Sequence, residues 1–118
     1  MIKEIKEKWL AALRSGEYKQ GRKVLRNIEN NTFCCLGVLC DLHSKETGEK
    51  WIAGGDFRFE GSYSYLGTHT CLPDGVMIWA GFTDFCNCNP NLGAESASQC
   101  NDNGQDFNTI ADKIKKYL

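Results

Sequence analysis

Apolar side chains return at helical spacing along residues 2–14. Ile2, Ile5, Trp9, Leu10 and Leu13 are separated mostly by lysines and glutamates. That period predicts an amphipathic helix with one buried stripe. Glu4 and Lys8 stand at i,i+4 and add modest support, and Ser15-Gly16 supplies the stop. The other end of the chain shows the same pattern. Phe107, Ile110, Ala111, Ile114 and Leu118 share one helical face, and Asp106 stands where a cap is needed. Lys113, Lys115 and Lys116 fall in the last turns, where cations suit the helix dipole.

The stretch "FCCLGVLCDLHSK", from Phe33, is apolar almost throughout. It predicts a buried helix capped by Thr32 or Asn31, although a buried strand fits its length as well and Gly37 weakens either assignment. "KVLRNIE" before it has the composition of a short strand, and "NNT" that of a turn. "KWIAGG", "DFRFEG" and "SYSYLGTHTCL" are aromatic and punctuated by glycine, which predicts two or three antiparallel strands. Pro73-Asp74 opens a short helix that runs through Trp79 to Gly81. "TDFCNCNPNLGAESASQCNDNGQ" has no period and predicts a long polar loop with a brief strand near Ser98. Together these elements predict one α+β domain over residues 1–118. Its N- and C-terminal amphipathic helices pack on a small antiparallel β-meander, with two shorter helices.

Composition narrows the partners. The 118 residues are 42% apolar, enough for a core in a domain of this size. A net charge of -1 argues against duplex nucleic acid, which needs a broad basic surface. No apolar run reaches membrane-spanning length, and residues 1–16 lack the apolar core of a signal peptide, so a cytosolic protein is expected. The seven cysteines are then expected to be mostly thiols.

Cys34, Cys35 and Cys40, with His43 close by, invite a metal or redox reading. Geometry opposes it. On a helix Cys34 and Cys40 lie about 120° apart at about 100° per residue, and on a strand they stand about 20 Å apart. Neither arrangement gathers three sulfurs around one zinc, so these residues are read as core. Cys86 and Cys88, joined by Cys100 or Cys71, are the weak alternative for zinc. No C-x-x-C, H-E-x-x-H or phosphate-loop motif occurs, and no cysteine is singled out beside His43 or His69 as a nucleophile. Neither enzymatic activity nor a cofactor or metal is expected.

Two segments can hold a ligand. Residues 14–26 carry Arg14, Lys19, Arg22, Lys23 and Arg26 against Glu17 alone, flanked by glycines. Arginine forks bind phosphates bidentately. Phe82 and Phe85 have the least obvious core role among the aromatics. A face there, beside Asn89 or Asn91, can stack on a purine and read its edge. Arg58 stands on the opposite strand face from Phe57 and Phe59 and can present a further cation.

"AALRSGEYKQGRKVLR", "FCCLGVLCDL", "LPDGVMIWAGF" and "NDNGQDFNTIADKIKKYL" occur in this order. Covering about half the chain, they resemble the Thoeris anti-defence protein 1 family of small phage proteins. The resemblance implies a molecular sponge without catalysis, acting in the cytoplasm of the infected bacterial host. It implies binding of a cyclic ADP-ribose isomer, and in some relatives cyclic oligonucleotides, by a homo-oligomer (dimer or hexamer) with pockets between subunits. It places Phe82 at the base with Asn89 near it, and Arg22, Arg26 and Arg58, with Lys19, at the phosphates. The 86–100 loop matches the family pattern least. The other function class that fits the residues is a protein-interaction module that binds a host protein directly.

Overall fold

The computed structural model describes residues 1–54, 61–83 and 88–118. Helix α1 (Lys3–Arg14) buries Ile5, Trp9 and Leu13 of the predicted stripe, whereas Leu10 is partly buried and Ile2, at the N-cap, is exposed. The fully buried Trp9 donates from Nε1 to Cys35 O at 3.0 Å, which ties α1 to the next helix. Helix α2 (Cys35–Thr47) is buried along its first half because α1 and two later helices surround it. It ends at Gly48, whose φ of 83° is the left-handed geometry that suits a glycine stop.

Neither Thr32 nor Asn31 caps α2; Cys34 is the N-cap, with no side-chain hydrogen bond of its own. Thr32 Oγ1 donates instead to Asn30 Oδ1 at 2.8 Å, and Asn31 is spent on a turn at φ 53°. "KVLRNIE" forms no strand. It makes isolated bridges, Arg26 to Phe33 and Asn27 to Ser62. Strand β1 (Ile52–Ala53) pairs antiparallel with β2 (Tyr63–Ser64), Ile52 opposite Ser64 and Ala53 opposite Tyr63. The strand expected in "DFRFEG" lies outside the described residues.

Helix α3 (Asp74–Ala80) follows Pro73 and stops at Gly81, as predicted. The long polar loop is a misreading. Strands β3 (Asn91–Leu92) and β4 (Glu95–Ser96) form a hairpin, and helix α4 (Ala97–Asp102) follows where the sequence suggested a strand near Ser98. The overlooked signal is a capping box. Ser96 Oγ accepts from Gln99 N, and Gln99 Oε1 accepts from Ser96 N at 2.8 Å. The hairpin and helix bury Leu92, Ala97 and Cys100 beneath a polar exterior, which hid their period. Ser96→Ala is expected to lower unfolding stability by about 1 kcal/mol, read as a lower midpoint in urea with an unchanged slope.

Helix α5 (Phe107–Tyr117) buries Phe107, Ile110, Ala111 and Ile114, and Asp106 Oδ1 accepts from Thr109 N at 2.8 Å as its cap. That hydrogen bond also lowers the Asp106 pKa. The two terminal helices pack on each other, bridged by Arg14 Nη2 and Asp112 Oδ1 at 2.5 Å. Helix α1 also rests on α2, and α5 on α4 and β3. The fold is α+β, with five helices and two small antiparallel sheets among the described residues. Among those residues no helix is long and apolar enough to cross a membrane.

Candidate ligand-binding site

The basic segment is held rigidly by one buried amide. Asn101 is fully buried in α4. Its Oδ1 accepts from Gln20 Nε2 at 3.0 Å and from Cys35 N at 3.2 Å, and its Nδ2 donates to Gly21 O at 2.8 Å. It therefore fixes the start of α2 and the loop before Arg22 together. Gln20 Nε2 also donates to Gln105 O at 2.8 Å, and Lys23 N donates to Asp102 Oδ1 at 2.8 Å. Lys23 sits at φ 71°, a conformation this anchoring holds. The backbone is pinned while Lys19, Arg22 and Lys23 are exposed and make no ion pair among the described residues. A cationic loop fixed in this way loses little entropy when an anion binds.

Arg26 is placed differently from Lys19 and Arg22. Its guanidinium lies over three rings, 5.0 Å from the centroid of Phe33, 5.4 Å from Trp51 and 4.5 Å from Tyr63. Its Nε donates to Asn31 Oδ1 at 2.9 Å. The rings hold the guanidinium in place by cation–π attraction, and Arg26 as a whole is half-buried. Beside it, Tyr18 donates to Asp41 Oδ2 at 2.6 Å, Lys45 Nζ donates to Tyr18 Oη at 3.0 Å, and Trp51 Nε1 donates to Asp41 Oδ1 at 3.1 Å. Burial and the Asp41 carboxylate raise the Tyr18 pKa, so the phenol stays protonated. Sequence reasoning missed this cluster. Its only signal was the spacing of aromatics at Trp51, Tyr63 and Tyr65, which says nothing of the distant Arg26 and Phe33.

Phe82 follows the Gly81 stop, with its backbone N bonded to Met77 O at 2.9 Å. The ring is partly buried against the core and lines an open cleft of about 360 Å³ with Met1, Thr83, Pro90, Asn91 and Leu118. Asn89 lies elsewhere. Its Oδ1 accepts from Ser98 N at 3.0 Å and its Nδ2 donates to Ser98 Oγ, so it holds the first turn of α4. It lines a second pocket of about 200 Å³ with Lys23, Cys34, Thr70, Cys71, Ser98 and Asp102. The structure thus does not put Asn89 in the Phe82 cleft; Asn91 is the asparagine there. It does put Asn89 beside a cation, Lys23. Arg58, Phe85 and Cys86 lie outside the described residues.

The cysteine cluster near α2 is core. Cys34, Cys35 and Cys40 are buried, and burial pushes the Cys34 thiol up to about 11 and the other two well above their usual range. His43 Nδ1 lies 2.5 Å from the Tyr65 hydroxyl, under the edge of Trp79. Desolvation lowers the His43 pKa and raises that of Tyr65 to about 12, which keeps this pair neutral. Among the described residues no three His, Cys, Asp or Glu side chains gather as a metal-ligand set.

Compared with known proteins, the whole chain, residues 1–118, matches one family model, described as a domain of unknown function (DUF8296). No curated protein and no solved structure matches.

Proposed function

The chain belongs to the DUF8296 family, and from its geometry we propose that it binds and sequesters a small cyclic nucleotide of the cyclic ADP-ribose class without cleaving it. On this reading it is a phage anti-defence protein of the Thoeris anti-defence kind, working in the cytoplasm of the infected bacterial host as a homo-oligomer. One observation supports it most. Pro90 and Asn91 line the cleft of Phe82, and their chain neighbour Asn89 lines the pocket of Lys23. A base and a phosphate of one compact ligand need that pairing of an aromatic face with a cation. Arg22 and Lys19 are exposed cations on the same anchored segment as Lys23, and a guanidinium can bind phosphate bidentately. Sequestration needs tight binding and abundance, with no general acid or base. Met1 and Leu118 also line the Phe82 cleft.

The test is titration calorimetry with cyclic ADP-ribose isomers, followed by heating the complex and chromatography of what it releases. Intact ligand is expected. Phe82→Ala is expected to weaken binding by about 10- to 100-fold, the worth of one base–aromatic stack, with the circular dichroism spectrum retained. Absence of binding by every isomer at high micromolar concentration refutes the reading. The exposed apolar side chains Ile52 (61% exposed) and Ile78 (64% exposed) favour the second reading, a module that binds a host protein directly. Capture of one host protein by the ligand-free chain, lost on Ile78→Glu, supports that alternative.

A further inference from the structure

Cys71 and Cys88 are set apart from the other described cysteines. Cys34, Cys35, Cys40 and Cys100 are between 0% and 3% exposed, whereas Cys71 and Cys88 are half-buried and free. The two chain segments are held side by side, because Leu72 N donates to Cys88 O at 3.0 Å. The Cys88 sulfur is near enough to raise the pKa of the Cys71 thiol. Both line an open cleft of about 350 Å³, with Thr68, Pro73, Asp74 and Met77 among its walls, so a small oxidant reaches them from solvent. A backbone bond between one cysteine and the neighbour of the other keeps the two residues close, and a disulfide spans Cα atoms about 4.4–6.8 Å apart.

We propose that Cys71 and Cys88 form an oxidation site, a dithiol that a hydroperoxide converts into an intramolecular disulfide. Burial and the neighbouring Cys88 sulfur push the Cys71 thiol up to about 12, so Cys71 stays protonated. The Cys88 thiolate attacks the terminal oxygen of the hydroperoxide. The O–O bond breaks, an alcohol (water, from hydrogen peroxide) leaves with a proton from solvent, and Cys88 becomes a sulfenic acid. Cys71 sulfur then attacks Cys88 sulfur. The S–O bond breaks and hydroxide leaves as water with the Cys71 proton. Two thiols supply the two electrons that reduce the peroxide. The product closes a loop from residue 71 to residue 88 that contains α3 and Phe82. It thereby clamps the entry of α3 to the segment leading into Asn89 and Pro90. The bridge is expected to stabilise the fold by shrinking the unfolded ensemble.

The experiment uses the full reduced chain and equimolar hydrogen peroxide, quenched with N-ethylmaleimide and mapped by peptide mass spectrometry. Two thiols per chain are expected to disappear, with a Cys71–Cys88 cross-linked peptide lighter by two hydrogens and restored by dithiothreitol. The oxidised chain is expected to melt several degrees higher. Cys71→Ser is expected to stop at a Cys88 sulfenic acid that dimedone traps, and Cys86→Ser to oxidise like the parent chain. A bridge made through Cys86 instead overturns the proposal. So does retention of both thiols at excess peroxide while the urea-unfolded chain oxidises.

Discussion

Gly37→Ala is expected to abolish cooperative folding, or to cost more than about 4 kcal/mol where a folded fraction survives. A Cβ at position 37 would stand 1.8 Å from Leu25 O and 2.7 Å from Leu25 C. Both are backbone atoms, so no side chain can swing aside. Nor can the Leu25 segment retreat. Leu25 is fully buried, its N donates to His69 O at 2.7 Å, and its O accepts from Cys34 N at 3.2 Å. Moving it breaks that link and drags Arg26 away from its three rings. Ordinary overpacking costs about 1–3 kcal/mol because side chains absorb it; here two stretches of main chain must separate. Gly48→Ala is the control. It has open space around it and a φ of 83°, so its cost is only the left-handed backbone, about 1–2 kcal/mol. Urea unfolding of both variants by circular dichroism checks this. A Gly37→Ala midpoint equal to or above that of Gly48→Ala would show that α2 does not approach Leu25 so closely.

Asn101→Leu is expected to remove about 3–5 kcal/mol and to loosen the cationic loop at the same time. Leucine is close in size, so little cavity forms. The loss is polar: Cys35 N, Gly21 O and the Gln20 amide each lose a partner. An unsatisfied buried donor or acceptor costs about 1–3 kcal/mol, and Gln20 retains Gln105 O as an acceptor. In a domain of this length the melting point should fall by about 10–20 °C. Amide hydrogen exchange gives the second readout. Protection at Gly21, Lys23 and Cys35 should fall more than at Trp9 or Ile110. Uniform loss of protection across all five would mean that Asn101 stabilises the fold without organising the loop. The ligand proposal predicts weaker binding in this variant below its melting point, because Lys19, Arg22 and Lys23 would no longer share one fixed backbone.

Both predictions show where sequence reading reaches and where it stops. The terminal helices, the Asp106 cap and the Gly81 stop were legible in the chain itself. Each rests on residues within about four positions of one another, and local periodicity and capping record interactions of that range. The candidate site was legible only in part. The basic segment and Phe82 stood out by type, yet residue type alone says nothing of whether a cation is free. Arg26 proved to lie over Phe33, Trp51 and Tyr63, and Asn89 to be engaged with Ser98. The β3–β4 hairpin and α4 were missed because apolar positions too few to show a period can still be buried once a neighbour covers them.

By itself, then, the sequence determined the two terminal helices, the Asp106 cap, the Gly81 stop and the α+β class, since short-range sterics and hydrogen bonds decide those. Only the tertiary structure decided that Gly37, a local weakness in any helix, is required by the backbone of Leu25. It also decided that Asn101, one amide in a polar run, holds both the start of α2 and the loop before Arg22. In each case the partner lies at least twelve residues away along the chain, and a long-range contact leaves no period behind.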